Sequence, residues 1–174
     1  NDRCFPQQFL RHCNIAAMAG SAPAVLVGSV FCRAQGFGRN HPLAIPRVAT
    51  VLRLCEELGW VDESSMCEAP AADLASLVRF HDHEYVTALR DADAAGQVTA
   101  AVRERFGFGT LENPLFPSVF ARAATAVAGS ILAAELALDG RVVFHPAGGT
   151  HHGRPGRASG FCYFNDPVFA ILTL

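Results

Sequence analysis

The stretch HPAGGTHHGRPGRASGFCYFNDP, from His145 to Pro167, gathers the side chains of this sequence best suited to moving protons. At its centre are two adjacent histidines, His151 and His152. Imidazole titrates near neutral pH, so one ring of a pair can take up or deliver a proton while the other stabilises charge. Gly148, Gly149, Gly153, Gly156 and Gly160 let the surrounding backbone turn tightly and approach a ligand closely. Taken alone, the pair also fits two exposed or simply hydrogen-bonded histidines. A second cluster, His81-Asp82-His83-Glu84, has metal-ligand residue types but reads as a helix start. Asp82 caps it and Glu84 lies near the positive end of the helix dipole. Asp91 and Asp93 read as solubilising helix-end residues, Tyr85 and Trp60 as core or half-buried, and Asn165 and Asp166 as loop and cap residues. The chain has no Ser-His-Asp arrangement, phosphate-binding loop or dinucleotide fingerprint.

Loops that follow the carboxyl ends of parallel strands are where α/β proteins place such chemistry, so the elements around this segment matter. RVVFH at 141–145 reads as a buried strand leading into it, and residues 24–32, AVLVGSVFC, as another. Val48, Val51, Leu52, Cys55 and Leu58 make one face of a helix over 47–58, ended by Gly59. Shorter helices are predicted over 70–79, with Leu74, Leu77 and Val78 inward, and over 83–92, with Tyr85, Val86 and Leu89 inward. Residues 97–106 and 118–138 are predicted helical, the latter long and alanine-rich. Residues 107–117 and 146–160 are loops, and 161–164 a short strand or extended turn. Asp166 as N-cap and Pro167 at the first helical position open a last helix. Strands separated by helices argue for an α/β fold with a parallel sheet. Two strands are too few for one, so the fold is expected to be present only in part.

Composition narrows the functions available. A 174-residue chain that is 51% hydrophobic and 17% charged has material for a sizeable core. A formal charge of -2 without a basic stripe speaks against nucleic-acid binding, and no run of about 18 apolar residues suggests a membrane partner. All the basic residues are arginine, which reads as coding bias. The six cysteines form no C-x-x-C pair and are expected to be reduced thiols in a cytoplasmic protein. Residues 1–23 are expected to be a disordered or non-native N-terminal segment, with Met18 a natural start. A signal peptide is the competing reading of that segment.

The run GGTHHGRPGRASGFCYFNDP closely resembles the signature of the zinc-dependent histone deacetylase family, which includes bacterial acetoin-utilization and acetylpolyamine deacetylases. RNHPLAIPRVATVLRL resembles that family's first active-site loop and helix. FHDHEYVTAL resembles its H-x-x-x-Y segment and FGFGTLENPLF its rim loop, so the likeness runs from about residue 25 to residue 174. The resemblance implies an α/β, parallel-sheet arginase/deacetylase-like fold, of which residues 24–174 are the N-terminal portion. It implies hydrolysis of an N-acetyl amide on an acetylated lysine or polyamine-type substrate, with Zn as the cofactor. By position, His151 would be an electrostatic stabiliser and His152 the general base and acid. Gly160 would contact the substrate amide through its carbonyl. Phe161 would wall the acyl channel, Cys162 would lie by its floor, and Arg47 would match an internal-cavity arginine. At the rim, Glu112 stands where the family usually has Asp. The family's metal ligands and transition-state tyrosine find no match in this sequence and are expected downstream, so the isolated chain is expected to be inactive. The alternative is a non-catalytic fragment or interaction remnant without metal. Oligomeric state is not legible in the sequence.

Overall fold

The computed structural model describes residues 24–28, 44–62 and 64–174. The readings of the N-terminal segment, of 29–32 as strand and of the loop around Gly36 and Gly38 lie outside the described residues. Within them the order is β1 (Val25–Gly28), α1 (Arg47–Glu57), β2 (Met66–Glu68), α2 (Leu74–Leu77), α3 (His83–Ala95), α4 (Ala100–Phe106), α5 (Val119–Leu138), β3 (Val143–Phe144) and α6 (Asp166–Thr173).

The strands form a parallel sheet ordered β2-β1-β3, with Leu26 opposite Met66 and Val25 opposite Val143. Parallel neighbours need a crossover, and helices supply each one. Alternation along β1 sends side chains to two faces. Leu26 packs with Leu52 of α1 in one cluster, whereas Val25 and Val27 belong to the larger core with α3, α5 and α6. The sheet is thus covered on both sides, as a parallel sheet requires. β2 is absent from the sequence reading: it is only MCE, ends on an exposed Glu68, and has no β-branched run to announce it.

α5 is the helix around which the rest is assembled. By length and composition it could cross a membrane, contrary to the sequence expectation, but 61% of its apolar window is buried inside the protein. An added Cβ at Gly129 would come within 2.4 Å of the His145 ring. The two ring nitrogens of His145 lie 3.2 and 3.1 Å from the carbonyls of Val27 and Ala126, so this residue ties β1 to α5.

The start of α5 corrects the solubilising role expected for Asp93. Ser118 in the cap position has φ 67 and makes no side-chain cap bond. Asp93 of α3 replaces it, accepting from the backbone amides of Ser118 (3.0 Å) and Phe120 (3.1 Å). Asp93→Ala is expected to cost about 1–2 kcal/mol, read as a lowered urea midpoint at unchanged m-value. A midpoint within error of wild type would show the cap to be dispensable.

Other expectations shift in detail. Val78 and Trp60 are exposed rather than inward. The last helix is capped by Asn165, whose side chain accepts from the Val168 amide, so Asp166 is its first residue. α3 runs on to Ala95 and ends at Gly96 in the left-handed conformation. Asp82 is at the N-cap of α3 without a side-chain cap bond. Glu84 forms a bidentate pair with Arg105 at 2.6 Å, exposed and so worth little. Cys55 and Cys162 are free thiols, as expected, but Cys67 is disulfide-bonded.

Candidate functional site

The segment between β3 and α6 is irregular backbone, and each part is fastened to a regular element. Arg157 donates to the Glu104 and Arg105 carbonyls at 2.7 and 3.0 Å, satisfying the carboxyl end of α4. The Ala158 amide donates to the Phe106 carbonyl, and the Asp82 amide to the Pro155 carbonyl.

His81 is the buried hub of this fastening, 2% exposed. Its Nδ1 lies 3.0 Å from the Arg154 carbonyl and 3.1 Å from that of Pro155, and Nε2 accepts from the Asn165 amide at 3.0 Å. Two acceptors at Nδ1 and a donor at Nε2 fix a neutral ring protonated at Nδ1. Burial pushes its pKa below the usual value, more than the hydrogen bonds to the Pro155 and Arg154 carbonyls raise it. The unfolded chain therefore binds a proton that the folded one refuses. The stability from His81 is complete above about pH 6.5 and is lost as pH falls from there through the lowered folded-state pKa. Melting temperature is expected to drop between pH 7 and 5, and the drop to shrink in His81→Asn. Equal pH slopes in the two proteins would contradict this.

His151 and His152 sit in a turn on the exposed side of the loop, ring centroids 4.1 Å apart and planes inclined at 44°. Nδ1 of His151 is 2.9 Å from the Gly149 carbonyl, which makes it the protonated nitrogen and turns Nε2 outward as an acceptor. Neither ring nitrogen of His152 has a hydrogen-bond partner among the described residues. An added Cβ at Gly160 would be 2.6 Å from His152 Cγ, and φ there is +55. Steric room and backbone conformation both demand glycine beside the second imidazole.

Residues 159–162 form a tight turn rather than a strand. The Ser159 amide donates to the Cys162 carbonyl at 3.1 Å, and the Cys162 amide to the Ser159 carbonyl at 2.8 Å. Both central residues, Gly160 and Phe161, have positive φ. Glycine and asparagine favour such turns, and a phenylalanine in one costs roughly 1 kcal/mol or more. The paired bonds between Ser159 and Cys162 hold Phe161 at the tip of the turn, half-buried, despite this cost. Cys162 Sγ donates to the Gly160 carbonyl at 3.3 Å, and burial pushes its thiol pKa up, so it stays protonated.

The fold thus brings together His151, His152, Gly160, Phe161 and Cys162. Glu112 lies on the 107–117 loop, exposed, with its carboxylate accepting from Asn113 Nδ2 at 3.3 Å. That loop is joined to the turn by Tyr163, whose hydroxyl donates to the Pro114 carbonyl. Tyr85 in turn holds the Tyr163 carbonyl at 2.6 Å, and burial raises the pKa of both phenols. Arg47 is exposed in the first turn of α1. Among the described residues no group of three or more His, Cys, Asp or Glu side chains is placed to hold a metal ion. Sequence reasoning missed His81 and His145 as braces. The HDHE run drew attention to His81 for its residue type, while its burial depends on partners more than 70 residues away.

Residues 41–174 match the histone deacetylase domain. The acetoin utilization protein AcuC of Bacillus subtilis is 33% identical over 138 residues, which cover 78% of this chain and 35% of AcuC. AcuC of Staphylococcus aureus (strain MSSA476) is 30% identical over 132 residues, covering 75% of this chain and 34% of the relative. The crystal structure of an HDAC homolog from Aquifex aeolicus superposes with a TM-score of 0.80 at 34% identity, over 85% of this chain and 40% of that one. An HDAC homolog complexed with SAHA gives the same values. The three-stranded parallel sheet and its helices are therefore part of an arginase/deacetylase-type α/β fold, and the chain spans little more than a third of the curated relatives' length.

Proposed function

The chain belongs to the histone deacetylase family, and from that premise we propose that it forms the proton-handling side of a site that hydrolyses N-acetyl amides. The observation that carries the reading is the histidine pair. His151 is oriented by the Gly149 carbonyl, and His152 lies against Gly160 with its nitrogens unengaged among the described residues. His152 serves as general base toward water and general acid toward the departing amine, and His151 stabilises developing charge beside it. Phe161, projected by its strained turn, lines the path of an extended alkyl chain, where each buried CH₂ contributes about 0.8 kcal/mol. Glu112 on the neighbouring loop accepts N–H groups at the mouth, and the Gly160 carbonyl accepts the amide N–H. The substrate is an acetylated lysine or polyamine-type amine.

The described residues do not fit a zinc site by themselves. In this reading the ligands come from the portion of the deacetylase domain that the chain does not span, and no step is assigned to the metal. A chimera tests the proposal. Residues 24–174 replace the matching stretch of the Aquifex aeolicus homolog, and acetate release is measured from an acetyl-lysine peptide and an N-acetylated diamine. Zinc-dependent turnover is expected for the chimera, and none for the 174-residue chain alone. A folded, zinc-loaded chimera without turnover on either substrate would favour a non-catalytic role.

A further inference from the structure

We propose that Asp166 is a positioning residue for the histidine pair, its carboxylate clasping the loop that carries His151 and His152. The consequence for catalysis rests on the deacetylase reading above. The Asp166 side chain belongs to a residue only 1% exposed and uses both oxygens. Oδ1 accepts from the Thr150 amide at 2.6 Å and from the Thr150 hydroxyl. Oδ2 accepts from the Gly149 amide at 3.0 Å and from Ser130 Oγ of α5 at 2.5 Å. The donors come from two separate parts of the fold, so the carboxylate joins the loop to the long helix.

Helix capping does not account for this arrangement. Asn165 already supplies the cap of α6, accepting from the Val168 amide at 3.4 Å. Asp166 instead reaches back to amides 16 and 17 residues earlier in the chain. The loop lies close against it: an added Cβ at Gly148 would be 3.0 Å from Oδ2 and 2.7 Å from the His145 ring.

The mechanical link to the imidazoles is short. Asp166 holds the Gly149 amide, and the Gly149 carbonyl accepts from both the amide and Nδ1 of His151 at 2.9 Å. On the other side, Asn165 Nδ2 donates to the His151 carbonyl at 3.0 Å and to the Gly153 carbonyl at 2.9 Å. His151 is thereby held from the residue before it and at its own carbonyl, and His152 lies against its ring. Hydrogen bonds to an ionised carboxylate are roughly twice as strong as neutral ones, which suits a fixed support.

The test uses the full chain and needs no catalysis. Hydrogen exchange is followed by mass spectrometry in wild type, Asp166→Ala and Asp166→Asn, and the Cε1–H resonances of His151 and His152 by NMR. In Asp166→Ala the Gly149 and Thr150 amides are expected to exchange about 10–100-fold faster, as loss of a bond to a charged group implies. The two imidazole resonances move, while α3 and α5 keep their protection. Asp166→Asn, which retains one acceptor oxygen, restores part of both effects. Wild-type exchange at 149–150 with unmoved imidazole resonances would overturn the proposal. If Asp166→Ala also strips protection from α3 and α5, Ser130→Ala and Thr150→Val decide, since each removes one hydroxyl donor to the carboxylate, Thr150→Val also releasing the Phe164 carbonyl. Faster exchange confined to 145–152 supports the clasp, and wild-type rates there in both variants refute it. An inactive chimera together with these shifts would leave the clasp standing and remove the deacetylase reading.

Discussion

His152→Ala in the chimera is expected to lower kcat for acetyl release by about 10²–10⁴, with KM nearly unchanged. The split follows from the geometry. Among the described residues His152 has no partner for its nitrogens, and it packs on Gly160, so its removal leaves the Phe161 turn and the rim loop able to bind substrate. What disappears is proton transfer, which matters only as the amide bond breaks. Steady-state kinetics on the acetyl-lysine peptide separate the two parameters. Undiminished kcat would mean that the pair is no more than surface histidine, the alternative that residue types alone left open.

Phe164→Ala is expected to cost about 3–5 kcal/mol, read as a lower urea midpoint. Phe164 is 1% exposed, and its ring centre is 5.0 Å from that of His81, 5.9 Å from Phe120 and 6.1 Å from Tyr85. Its carbonyl also accepts from the Thr150 hydroxyl at 2.7 Å. Truncation would open a cavity among aromatic rings braced by backbone bonds, where little can collapse to fill it. Since whole domains are stable by only about 5–15 kcal/mol, this one change approaches the total. A loss below about 1 kcal/mol would show that the aromatic cluster is loosely packed.

Local patterns exposed the helices well and the braces poorly. α1 and α3 announce themselves through apolar spacing and α5 through its alanine-rich length; burial follows at Tyr85, Val86 and Leu89, but in α1 only at Leu52, Val51 and Leu58 being exposed. β2 escaped because three residues without alternation carry no periodic signal, and its strand character comes from pairing with β1. Asp93 looked like any charged residue near a helix end, and only the approach of Ser118 from another helix makes it a cap. The cap of α6 fell one residue away from the expected Asp166 because Asn165 and Asp166 are both good cap formers, and the carboxylate has stronger partners upstream. At the site, the signature run marked His151, His152, Gly160, Phe161 and Cys162 as a group, and the fold keeps these residues in one loop and turn. His81 and His145 were legible as residue types but not as braces, since each acts through carbonyls distant in sequence.

The strand order has a consequence for how the chain is made. β1 is the central strand, with partners at Met66 on one side and Val143 on the other. During synthesis from the amino end, Val25–Gly28 emerges before both of these partners and waits for them. The first mate arrives only after α1 has left the ribosome, and the second only after α5. Until α5 has been made, this apolar segment is unpaired on at least one edge, which makes it a natural point of engagement for a nascent-chain chaperone.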